Sequence, residues 1–276
     1  MKPPLSREGF ALPVVLLLVL VGGIVISVMM ERHVAQAMTV QRELQGYSFH
    51  HSSKGVQEAV ETWLRYSGAT RNMHDAVTSD GHAFDIVLDT GESVKVTLVD
   101  AQDTILAELA GLPTQSRDVA RLMLEELQIR AGAQASQLIR REGPVPVSVN
   151  SAPPDVLYAA INAITDGQET DVLVDEINHR RSQEPLTVKL LTDIYTSVSI
   201  SSEVRGKISM AITAQPTLWR VIAELQPSVE VYPPPPTRRF CGLVLLNNTQ
   251  VNPQDRRAQL NRNSMIIDWQ DCSDPS

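Results

Sequence analysis

Three carboxylates lie close together in the segment "TDGQETD", residues 165–171. Asp166, Glu169 and Asp171 carry the hard oxygen atoms that calcium prefers as ligands. The segment lacks the alternating acids before a glycine that define an EF-hand loop, and the simpler alternative is a solvated acidic loop. The sequence therefore leaves calcium as a candidate cofactor, with these three residues as its candidate ligands.

Groups suited to catalysis are scarce in the rest of the chain. No H-E-x-x-H metal spacing, no G-x-S-x-G nucleophile motif and no glycine-rich phosphate loop occurs in the sequence. Side-by-side histidines are more typical of a solvated helix than of a metal site. We therefore expect a protein that is not an enzyme. The six histidines are His33, His50, His51, His74, His82 and His179.

The two cysteines, Cys241 and Cys272, both lie near the end of the chain. A disulfide between them is the expectation if this part of the chain lies outside the cytoplasm. The alternative is two unpaired, small apolar residues, because spacing alone does not test the geometry of a bridge.

The charge balance argues against a nucleic-acid surface. The chain has 32 acidic and 24 basic residues and a net charge of -8. Its arginines occur as scattered pairs, such as Arg140-Arg141 and Arg180-Arg181, whereas neutralising phosphates takes clustered cations. Nucleic acid is therefore not an expected partner.

The elements that position these groups begin with an uncharged run over residues 10–30. At about 1.5 Å per residue the run spans roughly 30 Å, which matches the hydrocarbon core of a bilayer. Lys2 and Arg7 precede it, so the positive-inside rule places the stub in the cytoplasm and the bulk of the chain outside. A cleaved secretory signal is the alternative, because Ala35 and Ala37 form a small-x-small site. Helical spacing of apolar residues continues to Leu64 and predicts one rod of about 80 Å.

The stub "REG" followed by Phe10 and a hydrophobic helix resembles the prepilin-like leader of type IV pilins and pseudopilins. The resemblance implies that a membrane-embedded prepilin peptidase cleaves after Gly9 and that Phe10 becomes the N-methylated amino terminus. Most members have Glu at the fifth mature position, where this chain has Val14. An apolar residue there is similar to the K-type minor pseudopilins of type II secretion (general secretion pathway protein K).

The middle of the chain supports the same resemblance. The segment "SVNSAPPDVL", residues 148–157, resembles a motif that K-type pseudopilins share with some helix-hairpin-helix proteins. DNA-binding units of that kind carry a glycine-rich hairpin, and the acidic segment around Asp166 stands there instead and would repel phosphate. We therefore interpret this unit as a protein-interaction module.

The expected fold class is α+β, with a long membrane-spanning helix and a small antiparallel β domain that carries a large inserted helical domain. Alternation predicts one hairpin over residues 84–98 and a second over residues 208–223, and a helix begins at Ser116 with the apolar stripe Val119, Leu122, Met123 and Leu127. The expected divisions are a leader at 1–9, a transmembrane part at 10–30, its extracytoplasmic continuation at 31–66, the β domain at 67–100 and 201–232, the helical insert at 101–200, and a Pro-rich linker with a tail at 233–276.

The resemblance implies a minor pseudopilin at or near the tip of a type II secretion pseudopilus, which helps to start assembly and to drive export across the outer membrane. Its partners would be other minor pseudopilins, the major pseudopilin, the prepilin peptidase and the inner membrane, with the globular part in the periplasm. Two alternatives stay open: a minor pilin of a type IV pilus, and an unprocessed single-pass adaptor.

Overall fold

The computed structural model describes residues 11–66, 73–78, 80–87, 91–165, 167–226, 238–246 and 264–272. The chain divides into two compact units, Met1–Gly55 and Val56–Ser276. The fold class is α+β: a long apolar helix begins the chain, and an antiparallel sheet carries a helical insert.

Helix α1 (Ala11–Tyr66) is 56 residues long and has no break, which confirms the predicted continuous rod. Gly46 and Gly55 lie inside it, and a methyl group at either position would meet nothing within 4 Å. An interior glycine costs about 1 kcal/mol of helix stability relative to alanine. Strong helix formers on both sides of Gly46 outweigh that cost.

The last turns of α1 belong to the second unit and are buried there. Val56, Val60 and Leu64 recur every fourth residue and are at most 5% exposed. The indole of Trp63 stacks on Phe84, with 5.0 Å between the ring centroids. The short helix α2 (Met73–Ala76) then leads to β1 (His82–Val87), which carries Phe84.

The first predicted hairpin is confirmed. Strands β1 and β2 (Ser93–Asp100) pair antiparallel, with Phe84 opposite Val96 and Ile86 opposite Val94. The buried positions of β2 alternate along the strand, which gives the sheet one core face and one solvent face.

A long helical insert separates β2 from the next strand of the main sheet. It holds two small parallel strand pairs, β3 with β4 and β5 with β6, and buries one continuous apolar cluster. The helix α3 contributes Val119, Met123 and Leu127 to that cluster. In chain order the elements are β3 (Ile105–Leu106), α3 (Thr114–Ala131), β4 (Ile139–Arg140), β5 (Val147–Ser148), α4 (Pro154–Asn162), α5 (Gly167–Arg181), α6 (Val188–Ser197), α7 (Ser202–Ile208) and β6 (Ile212–Thr213).

The main sheet is completed by β7 (Leu218–Gln226), β8 (Arg238–Leu246) and β9 (Ser264–Asp271), in the order β1-β2-β7-β8-β9. Every neighbouring pair is antiparallel. The predicted β domain ends at residue 232, but β8 and β9 of the tail form two of the five strands of the main sheet. The sequence "FCGLVLL", residues 240–246, has the composition of a strand, but the 17 residues between β8 and β9 lack a short turn signal that would pair them.

Two local predictions were also wrong. The segment predicted as the first arm of the second hairpin does not join the main sheet: Ile208 is the last residue of α7, residues 209–211 form a turn, and Ile212 lies in β6, which pairs with β5. In α7, Ser201 caps the helix by accepting from the Val204 N–H at 3.3 Å, and Lys207 donates to Glu203 at 2.9 Å. The helix α3 begins at Thr114 rather than at Ser116, and its residue Leu122 is 39% exposed.

Candidate functional site

The apolar part of α1 is uncovered along its whole length. Its most apolar stretch has a mean hydropathy of 2.9, and none of that stretch is buried. Within the described part of the chain, α1 is the one helix long and apolar enough to cross a membrane, a test that a signal sequence would also pass. Val14 belongs to this surface and is 43% exposed. Gly9 and Phe10, the predicted cleavage and methylation site, lie outside the described residues.

Beyond residue 30 the helix becomes two-sided. Successive residues turn by about 100° around an α-helix, and at that spacing the large apolar side chains share one half of the circumference. They are Val34, Met38, Val40, Leu44 and Tyr47, all at least 54% exposed. The charged residues Glu31, Arg32, Arg42, Glu43 and Lys54 occupy the other half. We call the uncharged half the apolar stripe of α1. It extends the uncharged rod beyond residue 30 without adding charge.

The acidic segment does not form one loop of ligands. Glu169 lies in the first turn of α5 and Asp171 follows two residues later, so the two carboxylates leave the helix on different sides. Asp166 lies outside the described residues. Among the described residues there is no group of three or more His, Cys, Asp or Glu side chains placed to hold a metal ion. Glu169 suits the positive end of the helix dipole, which is a structural role for that residue.

The histidines are distributed over separate elements. His33, His50 and His51 lie on α1, and His51 packs its ring 4.2 Å from that of Tyr47. His82 lies on β1 with Nε2 3.5 Å from a carboxylate oxygen of Asp85. The remaining two, His74 and His179, lie on α2 and α5.

Cys241 and Cys272 are joined in a disulfide with 5.8 Å between their Cα atoms. Cys241 lies on β8, and Cys272 directly follows the edge strand β9. The Cys272 N–H donates to the carbonyl of Arg239 at 2.9 Å, which prolongs the pairing of the two strands. The bridge therefore attaches the end of the outermost strand to its neighbour.

A buried glutamine holds the junction where the insert leaves and re-enters the sheet. Gln102 is 1% exposed, and its Nε2 donates to the Pro146 carbonyl at 2.7 Å. Its Oε1 accepts from the N–H groups of Thr217 and Leu218, the latter at 2.9 Å. Its backbone carbonyl accepts from the Ser148 N–H at 2.8 Å. One side chain thus joins the start of the insert, its middle and its end.

The segment at residues 144–152, which contains the start of the family-like motif, is held from several further directions. Arg181 Nη1 on α5 donates to the carbonyls of Val149 and Ala152 at 3.1 and 2.7 Å. Asn150 donates to the Leu186 carbonyl at 3.0 Å and accepts from the Leu186 N–H at 2.7 Å. We call this set of contacts the motif clamp. The sequence resemblance located the segment but missed Gln102 and Arg181, since nothing in their local pattern distinguishes them from surface residues.

The turn between α4 and α5 is fixed by side chains rather than by open backbone amides. The hydroxyls of Thr165 and Thr170 lie 2.7 Å apart, and Thr170 Oγ1 donates to Asn162 Oδ1 at 3.0 Å. Asn162 Nδ2 in turn donates to Glu126 on α3 at 2.8 Å. Side chains that are satisfied by one another are poorly disposed to receive a phosphate, and Glu126 adds negative charge.

The altered pKa values occur at structural positions. Burial lowers the pKa of Arg181 in the motif clamp and raises the pKa of Tyr195 in the helical core. The hydrogen bond and charge of Lys207 lower the pKa of Glu203 on exposed α7. None of these groups is paired with a nucleophile or a proton acceptor in the manner of a catalytic site.

Comparisons with known proteins find no match by sequence and a weak match by structure. No protein-family model matches the sequence, and no curated protein matches it. One solved structure that the fold matches is the crystal structure of the GspK-GspI-GspJ complex from the type 2 secretion system of enterotoxigenic Escherichia coli. The match has 11% sequence identity and a TM-score of 0.35, and covers 80% of this chain and 98% of that one. At that score we draw nothing about function from it.

Proposed function

We propose that this protein is a minor pseudopilin that sits at or near the tip of a type II secretion pseudopilus. The observation that carries the proposal is α1: one unbroken helix in which an uncovered apolar surface continues into the apolar stripe. A plain anchor needs about 20 apolar residues, whereas this helix keeps an uncharged side for several more turns. The leader-like "REG" before Phe10 supplies the second support.

The proposed role as a pseudopilin implies how the chain is processed and where it is located. Prepilin peptidase removes residues 1–9, and Phe10 becomes the methylated amino terminus in the inner membrane. The globular part lies in the periplasm, on the side away from Lys2 and Arg7. The disulfide between Cys241 and Cys272 suits that oxidising compartment. The apolar stripe packs against the helices of other minor pseudopilins and the major pseudopilin.

The tip position rests on Val14 and on the insert. A carboxylate buried in lipid is costly unless it is paired, and a hydrocarbon side chain at this position requires no neighbour above it. The insert places more than 100 residues between β2 and β7, which adds bulk to the head. A subunit of this kind ends a filament and does not lengthen it.

The first experiment tests processing by intact-mass measurement of protein purified from cells with and without prepilin peptidase. We expect the loss of residues 1–9 and the gain of one methyl group only when the peptidase is present. Gly9→Val should block cleavage, and Gly23→Val is the matched control because a side chain there meets nothing within 4 Å. Retention of Met1 in the presence of the peptidase would instead favour the unprocessed adaptor.

The second experiment tests the tip position through secretion assays on two variants of one residue. Val14→Ala should leave secretion unchanged, because it keeps the position uncharged. Val14→Glu should lower secretion, since it buries a carboxylate that has no partner above it. Normal secretion by Val14→Glu would show that a neighbour does accept this charge and would remove the tip assignment.

A further inference from the structure

A pocket opens where the helical insert meets the solvent face of the main sheet, within the second unit. Its volume is about 550 Å³, which is in the range of known small-ligand sites. Ala101, Leu218 and Leu243 give it apolar walls, and Arg220 reaches it from the exposed side of β7. Nothing in the proposed function uses this pocket.

Charged side chains of both signs surround the pocket. They are Asp103, Arg140, Arg141, Glu142, Arg220 and Asp268. Among the described residues, no two of these six approach within the 4.0 Å of an ion pair. Opposite charges around one concave surface would gain energy by pairing, and these six leave their charges available to a ligand.

Arg140 is the most constrained of the six. Its Nη2 donates to the Pro144 carbonyl and, at 3.3 Å, to the Pro146 carbonyl. Its Nε and Nη1 are buried and have no acceptor among the described residues. The two bonds from Nη2 fix this guanidinium in place, and its buried Nε and Nη1 lie out of reach of a ligand, so Arg140 acts on the pocket through its charge.

The nearest acids do not supply that acceptor. Asp103 and Asp100 favour the charged form of Arg140 only at longer range. Asp100 is already engaged, because its two carboxylate oxygens accept from the Gln102 N–H at 2.9 Å and from Ser151 Oγ at 2.7 Å. Burial lowers the pKa of Arg140 to about 10, which leaves it charged at neutral pH.

We propose that this pocket binds an acidic side chain of another protein, with the carboxylate on Arg220 in the field of the fixed charge of Arg140 and the aliphatic part on Leu218 and Leu243. Guanidinium groups match a carboxylate in geometry as well as in charge. A phosphate dianion is a poorer fit, because it would also face the acids Asp103, Glu142 and Asp268. The same acids suit a peptide in which basic or amide groups flank the acidic one.

The test is calorimetric titration of the full-length protein in detergent micelles with two matched peptides. Acetyl-Leu-Glu-Leu-amide should bind, and acetyl-Leu-Gln-Leu-amide should bind at least about 10-fold more weakly, because charged hydrogen bonds contribute about 1.5–3 kcal/mol. Inorganic phosphate serves as the third probe and should not compete. Equal binding of both peptides, no binding of either, or displacement by phosphate would each overturn the proposal.

Variants locate the binding at this pocket. Arg220→Gln should lower the affinity for the glutamate peptide about 10-fold or more and leave that for the glutamine peptide unchanged, a split that a folding defect would not produce. Arg121→Gln on α3 is the matched control and should have no effect, since Arg121 is exposed and does not line the pocket. Asp103→Asn removes a rim acid and should raise the affinity. Full affinity in Arg220→Gln, or reduced affinity in Asp103→Asn, contradicts the assignment.

Discussion

The apolar part of α1 and the helical insert differ in whether their apolar side chains are buried within the chain. In the insert these side chains are buried, and polar groups such as Gln102 and Asn150 fix how its segments join. Along α1 from Leu12 to Tyr47 the large apolar residues are exposed and touch little. The insert is therefore stabilised from within, whereas the first part of α1 has no burial of its own; under the proposed function, lipid and other helices supply it.

The largest expected loss of stability comes from substituting Gln102, whose side chain joins the insert to the sheet. Gln102→Ala removes the partners of three backbone groups at Pro146, Thr217 and Leu218, and we expect a loss of about 4 kcal/mol in the free energy of unfolding. Urea unfolding followed by tryptophan fluorescence measures it, because all three tryptophans lie in the second unit. Gln128→Ala on exposed α3 is the control and should change little. Equal effects of the two variants would refute the role of Gln102 as a junction.

Removal of the disulfide is the next largest effect. Replacing Cys241 and Cys272 together by serine removes a cross-link between residues 31 positions apart, which predicts a loss of about 3.7 kcal/mol in the free energy of unfolding. The change should be concentrated in β9, and hydrogen exchange should show faster exchange there than in β2. Reduction of the native protein by dithiothreitol provides the control without substitution and should reproduce both results. Unaltered exchange in β9 would mean that the strand is held by its pairing with β8 alone.

Within the motif clamp, the two hydrogen bonds between Asn150 and Leu186 can be removed together or singly by substituting Asn150. Asn150→Ala loses both bonds to Leu186 and should cost about 2 kcal/mol, measured by the same urea titration. Asn150→Asp retains the acceptor for the Leu186 N–H and loses only the donor, so its cost should be smaller. If the aspartate variant were the less stable of the two, the bond from Leu186 N–H would not be the important one.

The sequence predicted what depends on local pattern and missed what depends on distant pairing. The continuous helix and the first hairpin follow from spacing between residues that are near one another in the chain, and the structure has both. The place of β8 and β9 in the main sheet was not predicted, because 17 residues separate the two strands along the chain. Gln102 acts through residues up to 116 positions away, a relation that no local spacing encodes. The alternation of Ile208, Met210 and Ile212 misled because α7, which the Ser201 cap and the Glu203–Lys207 pair favour, extends to Ile208, and of these three residues only Ile212 lies in a strand.

The smallest expected effect on stability is at the apolar stripe. A substitution there separates the role of α1 in assembly from its role in folding. Leu44 is 63% exposed, so Leu44→Gln should change the free energy of unfolding of the second unit by no more than about 0.5 kcal/mol. The same variant should reduce co-purification with other pseudopilins, because it places a polar group on the side proposed to meet their helices. Glu43→Gln lies on the charged half of α1 and is the matched control, for which co-purification should be unchanged. If the stripe only extended a membrane anchor, both substitutions would leave co-purification unchanged. That result would show that the apolar stripe has no part in assembly.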